Sequence, residues 1–179
     1  MRQPPPAAEV RRASGLAHTD TIRDPARLAR VHEVIAGTAG SSLLTPLVRL
    51  AGSVTGADCA QLSLLADEQV ATAVRCADAT YAQQTSALED SLCTVTVLSG
   101  DVLVAADARV HPWLHDLPSV AGGAIGAYLG VPLLLGDGVA VGALCVYDAQ
   151  PRDWNDRDVG LTCEVADLVA LELRRVVDG

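Results

Sequence analysis

Cysteines, a pair of histidines and one acid–base pair are the residues here with chemistry to offer. Cys93 and Cys145 are thiols that a redox enzyme would use as nucleophile and partner. Cys93 falls among the loops expected to border a pocket, whereas Cys145 falls inside an expected strand. Both are therefore read first as small apolar core thiols. His111 and His115 stand four apart, a helical spacing that can bring two ligands to one metal, yet no third ligand beyond Asp107 or Asp116 is at hand. They read as solvated side chains, and no metal site is expected. Asp107 and Arg109 form a polar pair able to orient a ligand in an apolar pocket, or simply to cap a turn. No Ser/His/Asp order, glycine-rich phosphate loop or paired-carboxylate motif accompanies them.

Composition narrows the classes. All 13 basic residues are Arg, which excludes a lysine Schiff base and a Walker-type phosphate lysine. The formal charge is −9 with acids spread along the chain, so no basic stripe is present for nucleic acid. Phe is absent, and Trp113, Trp154, Tyr81, Tyr128 and Tyr147 supply all the aromatic surface. The 5 cysteines are an odd number without a CxxC pair, which argues against disulfides and against zinc. With no signal-peptide core and no apolar run of spanning length, a cytoplasmic protein without membrane contact is expected.

The elements that must position these residues follow from periodicity. Residues 1–23, with Pro4-Pro5-Pro6, read as a flexible arm, and 24–179 as a single domain. Asp24-Pro25 opens a helix through Leu28, Val31 and Ile35, and Ser41-Ser42 caps a second through Leu44, Val48 and Ala51, with Gly56 past its end. Alternation of Ala60, Leu62 and Leu64 with Gln61 and Ser63 predicts a strand over 57–66, and another spans 70–76. Residues 77–90 are polar and irregular. A short helix is expected over 91–98, a strand over 102–105 and a short helix over 111–116. Two apolar runs, 128–135 and 139–147, flank Gly136-Asp137-Gly138 as a hairpin. In the second run Val139, Val141, Ala143 and Cys145 should face one way, and Ala140, Leu144 and Val146 the other. Both faces are apolar, so both must be covered. Asn155 then caps a long helix with Asp158 at its third position, carrying a stripe of Leu161, Val165, Leu168, Val169, Leu173 and Val176. The order predicts an α+β domain, an antiparallel sheet of five to six strands with its terminal helices gathered on one face.

The stretches DSLCTVTVLSGDVLVAADARVHPWLHDLP and GAYLGVPLLLGDGVAVGALCVYDAQPRDWNDRDV resemble a GAF domain. The likeness runs from about Arg30 to Val176. It rests on Ser91-Leu92-Cys93, the step from Val104 to Arg109, Gly130-Val131-Pro132-Leu133 and Gly142-Ala143-Leu144-Cys145-Val146. More narrowly, it resembles the sensor domains N-terminal to bacterial serine phosphatases, histidine kinases and diguanylate cyclases. Leu92 stands where many relatives carry Phe, which changes the pocket floor rather than the fold. The resemblance implies a GAF/PAS-like fold with a ligand pocket under loops on one face and terminal helices that pair into a homodimer. The ligand-binding residues expected are Cys93, Asp107, Arg109 and Trp113, together with Leu114, Tyr128, Val131 and Leu133. No phytochrome-like Cys-His pair is present, and the Asn-Lys-Phe-Asp-Glu signature of cyclic-nucleotide members is impossible without Lys or Phe. No cofactor is identified.

The expected function is a non-catalytic sensory or regulatory module that binds a small molecule or partner and signals through its terminal helices. Because no output domain follows Gly179, the signal is expected to pass in trans to a phosphatase, kinase or cyclase, unless the chain is a detached sensor. One alternative is a thiol-dependent free methionine sulfoxide reductase using Cys93. Another is a ligand-free dimerisation scaffold with its pocket filled by Leu92, Leu98, Leu114 and Leu133.

Overall fold

A computed structural model describes residues 21–76, 85–136 and 138–178. Its order is α1 (Pro25–Thr38), α2 (Leu44–Thr55), β1 (Cys59–Leu65), β2 (Gln69–Cys76), β3 (Thr85–Ser86), a 3-10 turn (Leu88–Asp90), α3 (Leu92–Ser99), β4 (Leu103–Ala105), α4 (Pro118–Ala121), β5 (Ala127–Leu134), β6 (Ala140–Asp148) and α5 (Asp156–Asp178). The strands form one antiparallel sheet ordered β3-β2-β1-β6-β5-β4, the α+β architecture expected. The polar stretch 77–84, the Asp137 turn residue and most of the N-terminal arm lie outside the described residues. Ile22, assigned to the arm by sequence, is buried at 3% exposure, so the packed domain begins before residue 24.

Local chemistry accounts for the helix ends. Asp24 accepts from the Arg27 amide at 2.9 Å with Pro25 in the first turn, and Ser91 accepts from the Thr94 amide at 3.2 Å to start α3. Gly56 and Gly100 close α2 and α3 at φ 66° and 68°, a left-handed conformation that glycine adopts without strain. Asn155 and Asp158 cap α5 reciprocally: the Asp158 amide donates to Asn155 Oδ1 at 3.0 Å, and the Asn155 amide to Asp158 Oδ2 at 3.3 Å. The capping role expected of Ser41 and Ser42 on α2 is not realised. The residue before that helix is Leu43, without a side-chain cap, and Ser41 Oγ instead donates to Glu172 Oε1 at 2.5 Å, tying the α2 entry to α5.

The sheet separates two cores. On one face Val31 and Val34 of α1, Val48 of α2 and Val165, Val169 and Leu173 of α5 pack against Leu62, Leu64, Leu129, Leu144 and Val146. Leu168, counted in the apolar stripe of α5, is 47% exposed and lies outside that packed face. On the other face Leu65, Leu92, Leu103, Leu114 and Tyr128 gather over Ala143, Cys145 and Tyr147. Val139 and Val141 both depart from the side expected of them and pack with the helix-side core. The β5–β6 register steps from Leu133↔Gly142 to Leu134↔Ala140, leaving Val141 as the extra residue of a bulge, and it joins the helix-side core. A bulge inverts the period-2 pattern beyond it, which alternation alone does not reveal.

Two tertiary ties went unforeseen. The buried Arg27 guanidinium donates from Nε to the Ala140 carbonyl at 2.9 Å and from Nη1 to the carbonyls of Ile22 and Leu65 at 2.7 and 2.9 Å. Burial pulls its pKa down, and Asp24 partly offsets that. Arg152 pairs with Asp148 at 3.1 Å, donates to the Thr55 carbonyl and lies 4.5 Å over Trp154, whose Nε1 donates to the Ala105 carbonyl at 3.3 Å. One arginine thus fastens the ends of β6, α2 and β4 together.

The cysteine arithmetic is also corrected. Cys59 and Cys76 form a disulfide between directly opposed positions of β1 and β2. An odd count says nothing about which cysteines the hairpin register brings face to face. The free thiols are Cys93, Cys145 and Cys163.

Candidate functional site

The face of the sheet away from α1, α2 and α5 carries a cavity of about 260 Å³. Gln61 of β1, Tyr128 of β5 and Cys145 and Tyr147 of β6 supply its floor. Ser91, Leu92 and Cys93 at the start of α3 form one wall, and Pro118, Ser119, Ala124 and Ile125 around α4 form the facing one. Gln69, Ser86 and Asp90 complete the lining.

Hydrogen bonds hold much of this lining in place. Gln61 Nε2 donates to Ser63 Oγ at 2.7 Å, the Tyr147 hydroxyl donates to Gln61 Oε1 at 3.5 Å, and Ser91 Oγ donates to Gln69 Oε1. The Thr96 and Tyr128 hydroxyls lie 2.9 Å apart, and Tyr128 also donates to Cys93 Sγ at 3.6 Å. Ser86 Oγ is buried without a hydrogen-bond partner among the described residues. Such an unmet hydroxyl is costly in a folded interior and marks a place where a ligand group is welcome.

The two thiols are neighbours, with Cys93 Sγ 3.8 Å from Cys145 Sγ. The contact with the Cys145 thiol lowers the Cys93 pKa and outweighs burial, with smaller help from Ser63, Tyr128 and Ser91. Cys145 is pushed well up by the same contact and by burial. Of the pair, Cys93 ionises first, and Cys145 keeps its proton. Burial raises the Tyr128 and Tyr147 hydroxyls far above neutral pH, so both act as neutral donors.

Of the residues expected at the pocket, the structure brings Cys93 and Tyr128 to the cavity and leaves the others elsewhere. Asp107 and Arg109 satisfy each other at the surface: Arg109 Nε and Nη2 each donate at 2.8 Å to the Asp107 carboxylate, and the Arg109 amide donates at 3.0 Å. That pairing holds the Asp107 carboxyl below its usual range. Trp113 is half-buried against the cavity-side core, 5.7 Å from His111 in an edge contact, in a run of turns rather than the helix expected over 111–116. The first helical residue comes later, at Pro118, which suits a helix start. Leu114 is wholly buried in that core without reaching the cavity. Val131 and Leu133 lie on the opposite face, because they share strand parity with Leu129, not with Tyr128. Leu92 is the one member of the expected pocket-filling quartet that lines the cavity.

Sequence reading missed Gln61, Gln69, Ser91, Ser119, Cys145 and Tyr147 as lining residues. A usable signal existed. Gln61 and Ser63 sit on the polar side of β1, yet the apolar neighbouring strand β6 requires both sheet faces to be covered. Polar side chains on a covered face belong to a pocket. Cys145 lies within a strand, and its parity with Tyr147 and Ala143 aims it at the same face as Tyr128.

Comparison with known proteins agrees with this architecture. The chain is 39% identical over 82 residues to a cyclic di-GMP phosphodiesterase of Pseudomonas aeruginosa, a match covering 45% of the chain and only 14% of that relative's length. Among solved structures, the GAF domain of an Acinetobacter phosphoenolpyruvate-protein phosphotransferase superposes with a TM-score of 0.63 at 15% identity, covering 85% of this chain and 95% of that one. A type II free methionine-R-sulfoxide reductase from Thermoplasma acidophilum superposes with a TM-score of 0.61 at 17% identity, covering 75% and 92%. At such identities these structures speak for the fold alone. The GAF domain model matches residues 40–173, and the chain belongs to the GAF domain family.

Proposed function

We propose that this chain is a non-catalytic sensory and regulatory GAF module whose cavity takes a small, hydrogen-bonding, uncharged or cationic molecule. The observation that carries the reading is the character of the lining: hydroxyls, carboxamides and thiols, with Asp90 its only ionisable carboxylate and no Arg or His among the described residues. A phosphate-bearing ligand would find no counter-charge there and would meet a carboxylate. Cyclic di-GMP is therefore disfavoured as the ligand, even though a phosphodiesterase of that nucleotide is a relative. The cavity suits a ligand of modest size, held by a few placed polar groups.

Strands β1 and β6 offer the route for the signal. Gln61, Cys145 and Tyr147 touch the cavity, while Leu62, Leu144 and Val146 on the same strands touch α1, α2 and α5. A ligand that prefers one strand arrangement would bias the helices behind the sheet. Leu168 and Leu171 on α5 are 47% and 60% exposed, which supports a homodimer through the outer side of that helix. The output partner in this reading is a phosphatase, kinase, cyclase or phosphodiesterase.

Thermal unfolding in the presence of polyols, carboxamides, small amines and, separately, cyclic di-GMP tests the ligand class. A cavity ligand at a hundred times its Kd adds about 2.7 kcal/mol, or roughly 5–10 °C for a domain of this size. The stabilisation should be lost in Gln61→Leu. Stabilisation by cyclic di-GMP alone, or one indifferent to Gln61→Leu, would overturn the proposal.

A second reading, a thiol-dependent free methionine sulfoxide reductase, is favoured by the Cys93–Cys145 distance. Turnover of free methionine sulfoxide by the wild type, abolished by Cys93→Ser, would establish it, and an inactive wild type would end it.

A further inference from the structure

We propose that Cys93 and Cys145 form a hydroperoxide-oxidisable dithiol in the cavity, whose disulfide ties the start of α3 to β6 and reshapes the site. The inference goes beyond the sensory reading and stands whether or not a small molecule binds. Three observations carry it.

The sulfurs are 3.8 Å apart, and both residues line the same cavity, which is ample for a molecule little larger than water. They come from different elements, Cys93 from the first turn of α3 and Cys145 from the middle of β6, so a bond between them would lock two parts of the site together. Third, their surroundings differ in the sense the chemistry needs. Cys93 accepts from the Tyr128 hydroxyl at 3.6 Å and its surroundings pull its pKa down, whereas burial and the Cys93 contact push that of Cys145 up.

The reaction balances without a cofactor. The Cys93 thiolate attacks one oxygen of hydrogen peroxide and the O–O bond breaks, giving Cys93 sulfenic acid and hydroxide, which takes up the proton first lost by Cys93. The Cys145 thiol then attacks the sulfenic sulfur. An S–S bond forms, the S–O bond breaks, and the Cys145 proton leaves with the hydroxyl as a second water. In total two thiols are oxidised by two electrons and one peroxide is reduced to two waters.

Closing the sulfurs to a bond of about 2.05 Å requires them to approach by about 1.8 Å. That movement draws in the turn carrying Ser91, Leu92 and Cys93, which is one wall of the cavity. Cys163 supplies an internal control. It lies on α5 on the other side of the sheet, half-buried, and burial together with Asp167 and Asp101 raises its pKa and disfavours its thiolate.

The test uses the whole chain, exposed to hydrogen peroxide in modest excess, then denatured, alkylated and cleaved before aspartate without reduction. Asp78 and Asp90 separate Cys76 from Cys93, so each cysteine falls in its own peptide. The untreated chain should show three alkylated cysteines, and the oxidised chain one, Cys163, with a peptide pair joined through Cys93 and Cys145. In Cys145→Ser the Cys93 sulfenic acid should persist and be trapped by dimedone, whereas in Cys93→Ser Cys145 should stay alkylatable. The wild-type result decides even if a variant folds poorly. Cys93 and Cys145 both alkylatable after Cys163 has been oxidised would overturn the proposal. So would Cys93 passing to sulfinic acid beside a free Cys145, or either thiol appearing in exchange with Cys59 or Cys76.

Discussion

Gly130 packs against Tyr128 of the cavity floor and Thr96 of α3, and replacing it with Ala perturbs that floor. A Cβ built there would come within 2.5 Å of the Tyr128 hydroxyl, 2.6 Å of Thr96 Oγ1 and 2.7 Å of Tyr128 Cε1. Tyr128 is 1% exposed and its hydroxyl is engaged with Thr96 at 2.9 Å, so the ring has little room to yield. Overpacking of this kind costs about 1–3 kcal/mol, and breaking the Thr96–Tyr128 hydrogen bond adds about 1 kcal/mol. The reduced freedom of the unfolded chain returns about 0.4–1 kcal/mol. Gly130→Ala should therefore lose about 1–3 kcal/mol, read as a lower urea midpoint at unchanged slope. Tyr128→Phe alone should cost about 1 kcal/mol, because Thr96 Oγ1 still donates to the Leu92 carbonyl and is not orphaned. Removing the hydroxyl also removes one of the clashing atoms, so the double variant should be more stable than the sum of the singles by about 1 kcal/mol. A neutral Gly130→Ala, or strictly additive singles, would refute the placement of Tyr128 against Gly130 and Thr96.

Two further predictions concern the helix side. Leu168→Asp should convert the proposed dimer to a monomer in analytical ultracentrifugation, because it places a charge beside Leu171 at a side chain that is 47% exposed; a dimer that survives would remove α5 from the interface. Glu172 accepts from Arg175 at 2.7 Å and from Ser41 at 2.5 Å, and these hold its carboxyl down to about 2. A depressed carboxylate contributes stability that is complete above its unfolded value of about 4.3 and fades as pH falls towards 2. Glu172→Gln should lose about 1 kcal/mol at pH 7, a modest figure because Arg175 is 61% exposed. That deficit should shrink as urea midpoints are compared at successively lower pH, and one that persists unchanged to pH 2 would contradict the assignment.

The fold was more legible in the sequence than the site. Helix ends at Asp24-Pro25, Gly56, Ser91 and Asn155 rest on local hydrogen bonding and local backbone freedom, which neighbouring residues determine. The two long apolar runs could hardly be anything but a covered hairpin. What escaped was non-local. Arg27 and Arg152 have no local signal for their partners, yet each is drawn inward by carbonyls far off in the chain. The Cys59–Cys76 bridge depends on hairpin register, and the side of Val141 on a bulge. Among the expected site residues, Val131 and Leu133 belong to the Gly130–Leu133 motif, but their parity with Leu129 puts them behind the sheet. Asp107 and Arg109 illustrate a different difficulty: a polar pair two residues apart satisfies itself before it can serve a ligand.

Native mass spectrometry of the wild type beside Ala124→Trp, a variant that fills the cavity from its wall, tests the central claim most directly. The account predicts that the wild type, as purified or after incubation with the polyol, carboxamide and amine set, carries extra non-covalent mass smaller than a cyclic dinucleotide. It further predicts that Ala124→Trp, folded by circular dichroism, carries none. Bare polypeptide mass in the wild type under all these conditions, or the same adduct retained by Ala124→Trp, would contradict it.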